Sequence, residues 1–186
     1  MKRFVRMMQP TPDTTILDVG GCEDFWAMLE IEPRVTLLNV RPEPGNRFRR
    51  VLGDGCSLPF ADQSFDMVFS NSVIEHVGGW ERQQRFAEEV RRVGRRYWVQ
   101  TPDIRFPIEP HLLAPFIHWL PRAARYRLAG ACTPWAWLTK PSLEQVRAVV
   151  DEIRLLSAGE MAILFPGATL VRERLLGLSK SVIAVS

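Results

Sequence analysis

The stretch Ile16-Leu17-Asp18-Val19-Gly20-Gly21-Cys22 is where residue type and spacing first point to chemistry. An apolar, β-branched run ends beside an acid and breaks into two adjacent glycines. Their missing Cβ atoms let the backbone turn sharply and approach a ligand. A helical pattern follows over Glu23–Glu30, with Phe25, Trp26 and Leu29 on one face. A strand, a glycine turn and a helix form a site for a nucleotide-like molecule at the top of an α/β sheet. The third glycine of the full dinucleotide motif is missing, because that region reads Cys22-Glu23-Asp24. Two acids at a helix start suit its dipole but repel a pyrophosphate. The ligand expected here is cationic or zwitterionic; the alternative is a tight turn that holds no ligand.

The elements that must position this turn alternate strand and helix. Strands are predicted over Thr14–Val19, Val35–Val40, Phe48–Leu52, Phe65–Ser70 and Arg96–Gln100. The breaker-rich loop Arg41-Pro42-Glu43-Pro44-Gly45-Asn46 follows the second strand, and Gly53-Asp54-Gly55 follows the third. Ser72 and Glu75 have capping-box spacing and predict a helix start immediately after the fourth strand. A further helix is predicted over Glu81–Val93, burying Phe86, Val90 and Val93, with Glu81–Arg85 and Glu88–Arg92 paired on its solvent face. Such βα alternation implies a mainly parallel, doubly wound sheet between two helical layers, an α/β/α sandwich of Rossmann-like kind. From 105 to about 140 the composition turns rich in proline and aromatics, as expected of an insertion of short helices after the fifth strand. Helix resumes at Ser142–Val150, and Ala168–Arg172 with Ser181–Val185 predict an antiparallel hairpin at the sheet edge.

A length of 186 residues suits one domain with a sizeable core. The net charge of +3 is mild and its arginines are scattered, which predicts solvated faces and no nucleic-acid footprint. The three cysteines, Cys22, Cys56 and Cys132, are widely spaced and odd in number. They argue against a disulfide framework and a cysteine zinc site, so a reducing, cytoplasmic setting and no metal are expected. No apolar run is long enough to span a bilayer, and the basic N-terminus lacks a secretory signal's apolar core.

Four blocks make the chain resemble the class I S-adenosylmethionine (SAM)-dependent methyltransferases, specifically their small type 11 group. These are Ile16 to Gly21; Gly53-Asp54-Gly55 with Leu58-Pro59-Phe60; Ser64-Phe65-Asp66-Met67-Val68-Phe69-Ser70-Asn71-Ser72-Val73-Ile74-Glu75-His76-Val77; and the hairpin through Gly177-Leu178-Ser179-Lys180-Ser181. The resemblance implies SAM as cofactor. It puts Gly20 and Gly21 under the methionine moiety with Asp18 ordering the loop, and Asn39 at the ribose hydroxyls in place of the usual carboxylate. It puts Asp54 at the adenine amino group, with Gly55 and Cys56 offering backbone contacts, and Ser70 near the methionine end. Asn39 can accept a ribose hydrogen bond but lacks the charge assistance of an acid.

Methyl transfer from a sulfonium is an in-line displacement in which positioning supplies much of the rate. A general base helps when the acceptor is a hydroxyl. The resemblance therefore implies methylation of a small molecule or glycan, with oxygen as the expected acceptor atom. The base candidates are His76, His111, His118, Asp103 and Glu109, and Glu109 is also placed to orient His111. A structural role competes at each, and His118 reads as a packed residue. The 105–140 segment is expected to be a lid over the acceptor. Its alternative is a surface for a second copy of the chain, another partner or a membrane interface. The competing functions are a non-catalytic methyltransferase-like subunit acting through that segment, and a nicotinamide-dependent oxidoreductase, which the absent third glycine and Asn39 disfavour.

Overall fold

Period-two burial builds the sheet. In β1, Ile16 packs on one face and Leu17 on the other, and the same alternation separates Met67 from Val68, Trp98 from Val99, and Ile183 from Val182 and Ala184. Strands buried on both faces need helices on both sides, and the chain supplies them. A computed structural model describes every residue from 1 to 186 except Glu43 and Asn46. Both of these lie in the loop predicted over 41–46, which to that extent falls outside the described residues.

The elements in chain order are α1 (Lys2–Met8), β1 (Thr15–Val19), α2 (Glu23–Ala27), β2 (Arg34–Asn39), β3 (Arg49–Leu52) and β4 (Phe65–Asn71). A 3-10 turn at Ile74–His76 leads to α3 (Trp80–Val93) and β5 (Gly94–Pro102). The next segment holds a two-stranded hairpin of β6 (Ile108–Glu109) and β7 (Ala114–Pro115), then α4 (Arg122–Ala131) and α5 (Pro134–Thr139). The chain finishes with α6 (Leu143–Glu152), α7 (Ala158–Leu164), β8 (Thr169–Leu175) and β9 (Leu178–Val185). The main sheet runs β3-β2-β1-β4-β5-β9-β8. The first five strands are parallel, and β9 and β8 add in antiparallel fashion. The order reverses at β1, which pairs with β2 on one side and β4 on the other. That reversal opens a crevice at the strands' C-terminal ends.

One core layer packs α3 and α7 against the sheet through Phe86, Val90, Met161 and Phe165. The other packs α1 and α2 through Phe4, Met8 and Trp26. Phe4 meets Phe69 and Trp98 edge-on at centroid distances of 4.9 and 5.7 Å. A third cluster, Leu112, Ala114, Ile117, Ala129, Val146 and Val150, lies within the inserted segment and α6.

Three local expectations are corrected. The capping box at Ser72 does not form: β4 runs on to Asn71, the Ser72 N–H pairs with the Gln100 carbonyl, and Ser72 sits at φ 58°. An N-cap needs extended backbone there. Glu75 consequently turns inward and is fully buried. The α2 helix ends at Ala27, three residues before the predicted Glu30. On α3, Arg92 turns to Glu89 and Asp62 instead of Glu88, because its guanidinium also reaches the carbonyls of Leu58 and Phe60. Two helices, α1 and α7, were not anticipated.

Candidate functional site

The glycine turn is built around a buried acid. Asp18 is fully buried; its Oδ2 accepts from the Trp26 indole at 2.6 Å, while Oδ1 has no partner among the described residues. Burial pushes its carboxyl up to about 7, against the lowering effect of the Trp26 bond. A Cβ on Gly21 would fall 1.7 Å from Asp18 Oδ2, so only glycine fits. Gly20 has φ +79° and donates to the Leu38 carbonyl at 2.8 Å; a Cβ there would meet Val73 at 2.5 Å. Glu23, at the start of α2, pairs with Arg50 and accepts the Arg47 N–H, so one of the two acids there is neutralised.

Above this turn lies a crevice of about 220 Å³, lined among others by Gly20, Asn39, Asp54, Gly55, His76 and Glu152. Asn39 donates its amide to the Gly21 carbonyl at 3.0 Å, which ties β2 to the turn. Asp54 Oδ1 accepts the Cys56 N–H at 2.9 Å, and Oδ2 accepts from Arg82 at 2.8 Å. These two bonds, in that order, hold its carboxyl below the ordinary value. The Cys56 thiol is pushed up to about 11 by burial and then by the Asp54 charge, and donates to the Arg82 carbonyl at 3.3 Å. Ser70 is fully buried and its hydroxyl donates to the Val19 carbonyl at 3.2 Å. Gly20, Asn39, Asp54 and Gly55 thus line the crevice; Asp18, Gly21, Cys56 and Ser70 are not in its lining, and Gly21, Cys56 and Ser70 hydrogen-bond to lining residues Asn39, Asp54 and Val19.

Beside it, a second cavity of about 490 Å³ is lined by Asn71, Gln100, Phe106, Ile108, His111 and Lys180 among others. The two spaces are joined by imidazoles. His76 lines the first and His111 the second, and their Nε2 atoms are 2.9 Å apart. His111 sits at the tip of the β6–β7 hairpin, where its Nδ1 lies 2.6 Å from Glu109 Oε1. His76 Nδ1 faces Glu152 Oε1 at 3.5 Å. Glu75 accepts from Thr101 Oγ1 at 2.9 Å through Oε2, and its Oε1 lies 4.0 Å from His111 Nε2 with no hydrogen-bond partner among the described residues. Gln83 and Arg154 lock this corner: the Gln83 amide donates to the Ile74 and Arg154 carbonyls, and the Arg154 N–H donates to the Glu75 carbonyl.

The electrostatics split the imidazole pair. His76 is lowered by burial and then by the charge of His111. Burial also opposes charge on His111, but the Glu109 hydrogen bond and charge outweigh it and hold its pKa above the ordinary value. Burial raises Glu75.

The structure does not bring Asp103 to this cluster. Its buried carboxylate is taken by Arg105, and it lines neither the crevice nor the second cavity. Although burial opposes it, the Arg105 hydrogen bonds hold this carboxyl below its ordinary value. His118 packs beside Trp119 and reaches the Ile104 carbonyl at 2.9 Å, lining a separate cavity of about 300 Å³ within the insertion. Sequence reasoning missed Arg82, Glu75 and Glu152. Arg82 carries no motif, Glu152 arrives on a distant helix, and Glu75 had been assigned to a helix cap. No helix among the described residues is long and apolar enough to cross a membrane.

Residues 26–96 match the family model described as "Methyltransferase domain". Among curated proteins, an uncharacterized methyltransferase of Mycolicibacterium gilvum is 33% identical over 96 residues, covering 46% of this chain and 36% of that protein. The chain thus spans little more than a third of the length of that relative. Among solved structures, the Burkholderia thailandensis 1,6-didemethyltoxoflavin-N1-methyltransferase superposes with a TM-score of 0.61 at 15% identity, covering 99% of this chain and 74% of that one. It was crystallised with 1,6-didemethyltoxoflavin and S-adenosylhomocysteine. A SAM-dependent methyltransferase from Aquifex aeolicus superposes with a TM-score of 0.55 at 12% identity, covering 99% and 87%. At these identities the likeness is one of fold.

Proposed function

We propose that this chain carries a class I SAM-dependent methyltransferase domain, binds SAM in the crevice above Gly20 and methylates a hydroxyl of a small molecule or glycan held in the second cavity. The observation that carries this reading is the His76–His111 contact, which puts paired imidazoles at the boundary between the two spaces.

The residues fit the cofactor. Gly20 and Gly55 both line the crevice, and each lies so close to a wall residue that a Cβ would meet Val73 at 2.5 Å or Phe86 at 2.8 Å, so glycine is required at both. The Asp54 carboxylate is partly exposed and ionised, suited to accept from an amino group while keeping Arg82 on one oxygen. The Asn39 amide is used on Gly21, which leaves its carbonyl oxygen to accept from a ribose hydroxyl. When bound, the cofactor supplies an electrophilic methyl group on a sulfonium. The chain's own task is to hold the acceptor in line with it and to promote loss of the hydroxyl proton. His111 Nε2 meets His76 Nε2 at 2.9 Å, so a proton taken up at this boundary passes between the two rings and is stabilised on His111 by Glu109.

The 105–140 segment supports the lid reading. Its Phe106, Ile108 and His111 line the second cavity, so acceptor selection falls to it. Tyr126 and Trp135 pack inward, while Trp137 and Leu138 remain exposed.

The test is calorimetric titration of the purified chain with SAM and with S-adenosylhomocysteine, repeated on Asp54→Ala, followed by a panel of hydroxyl and amine acceptors. Micromolar binding that weakens at least about tenfold in the variant, with transfer to hydroxyls, is the expected result. No binding to the unaltered chain would sink the enzyme reading in favour of a methyltransferase-like subunit.

A further inference from the structure

We propose that Glu75, His76 and His111 form a mononuclear site for a divalent first-row transition ion such as Zn²⁺, at the boundary between the cofactor crevice and the second cavity. The argument begins with the imidazole pair. Glu109 lies 2.6 Å from Nδ1 of His111, and Glu152 faces Nδ1 of His76 at 3.5 Å. A carboxylate at Nδ1 favours the tautomer that carries its proton there and leaves Nε2 free as a ligand. With both rings in that tautomer, the two Nε2 atoms, 2.9 Å apart, can turn their lone pairs on one ion in place of the single proton they otherwise share.

The third donor is already aimed at the same point. Glu75 Oε1 is fully buried, has no hydrogen-bond partner among the described residues, and lies 4.0 Å from His111 Nε2. The ligand atoms of all three residues lie within 4.8 Å of one another. Nitrogen and oxygen ligands about 2.1 Å from a zinc-sized ion sit about 3.0–3.4 Å apart at right-angled to tetrahedral geometry. The imidazoles meet that spacing within about 0.1 Å, and the carboxylate needs to approach His111 by about 0.6 Å and His76 by up to about 1.4 Å. A metal between the three would satisfy the orphaned oxygen and the two Nε2 lone pairs together. Two imidazoles and one carboxylate are a donor set for zinc, iron or manganese rather than for calcium or magnesium. Three protein ligands leave coordination positions open for a further ligand.

The cysteines, which argued against a zinc site in the sequence, take no part: Cys22 and Cys132 are exposed, and Cys56 lies beside Asp54. Binding of the ion is measured apart from methyl transfer. Its role, which rests on the methyl-transfer reading, is to hold the acceptor oxygen and promote loss of its proton in place of the imidazole pair, whose Nε2 atoms it then occupies.

The experiment uses the full chain, stripped with chelator and titrated with Zn²⁺ in the absence of cofactor. Co²⁺ is substituted as a spectroscopic probe, and SAM affinity is measured on the same samples. One equivalent of Zn²⁺ is expected, weakened at least about 100-fold in His111→Ala. Glu109→Gln, which disturbs only the outer partner, is expected to weaken it about 10- to 100-fold. Glu75→Gln is expected to alter the Co²⁺ spectrum. The His111 variant guards against misfolding of the buried Glu75 variant, since His111 is partly exposed. Equal Zn²⁺ affinity in the unaltered chain and His111→Ala would overturn the site, as would absent binding in a folded chain that still binds SAM. Failure to bind SAM alone would strike the methyl-transfer reading and leave the metal site standing.

Discussion

The indole N–H of Trp26 donates to the Asp18 carboxylate across 2.6 Å, while the other carboxylate oxygen, equally buried, has no partner among the described residues. The turn beneath the crevice proposed for the cofactor is therefore built on an acid whose charged form the fold disfavours. Burial holds its carboxyl at about 7 against an ordinary 3.8. The folded chain then binds more protons than the unfolded chain between those values, so this group's contribution to stability falls as pH rises from about 4 to 7 and levels off above. The size of the effect is on the order of 4 kcal/mol. Asp18→Asn keeps an acceptor for Trp26 and cannot ionise. Urea denaturation at pH 5 and pH 8 should show the decline in the natural chain and its loss in the variant. Equal pH slopes in the two chains would remove burial as the cause.

Gly21→Ala and Gly159→Ala should have opposite signs. A Cβ at Gly21 falls 1.7 Å from Asp18 Oδ2, whose partner oxygen atoms and Trp26 leave little room to yield. The expected loss is about 2–3 kcal/mol. Gly159 lies in α7 with only Ser157 Oγ at 3.8 Å, so alanine there should stabilise by about 0.5–1 kcal/mol. Thermal melts of the two variants decide the matter; similar changes in both would contradict the steric argument.

Thr101→Val removes the hydroxyl that donates to Glu75 at 2.9 Å while keeping the side chain's shape. A buried carboxyl group left without that donor should cost about 2 kcal/mol, read as a lower urea midpoint at unchanged slope. Preservation of the midpoint would mean that Glu75 finds another donor.

The β8–β9 hairpin turns through Leu176 at φ 51° and Gly177 at φ 82°. Two positive φ values in succession are the mirror-type hairpin turn, which favours asparagine or glycine at its first position. Leu176 is 95% exposed and gains nothing from packing. Leu176→Asn should stabilise by about 0.5–1 kcal/mol and raise the melting temperature by about 1–4 °C. A fall on substitution would show that the leucine has a partner in solution.

Much of the sheet was legible because strand periodicity is local. The β1 run, the glycine pair and the Phe86–Val90–Val93 face of α3 report their burial through spacing alone. The short helix α1 was harder: Phe4 and Met8 repeat only once at helical spacing, and their burial comes from Trp26, Phe69 and Trp98 on distant elements. The candidate site divides along the same line. Gly20, Asn39, Asp54 and Gly55 sit at strand ends that the alternation locates. Glu75 was misassigned because Ser72-x-x-Glu75 satisfies a capping pattern, and only pairing of Ser72 with Gln100 shows that the backbone is left-handed there. The meeting of His76 and His111 joins a 3-10 turn to a hairpin 35 positions away, and Glu152 reaches them from α6. No local pattern encodes contacts between elements that far apart.

The inserted segment packs Leu112, Ala114, Ile117 and Ala129 against Val146 and Val150 of α6 in a cluster of its own, apart from the two layers that clothe the sheet. Substitutions in this cluster are thereby insulated from the residues that shape the glycine turn. If the proposed acceptor wall lies here, the segment can be exchanged without renegotiating how the sheet folds, a modularity that the two clusters' separate packing supplies.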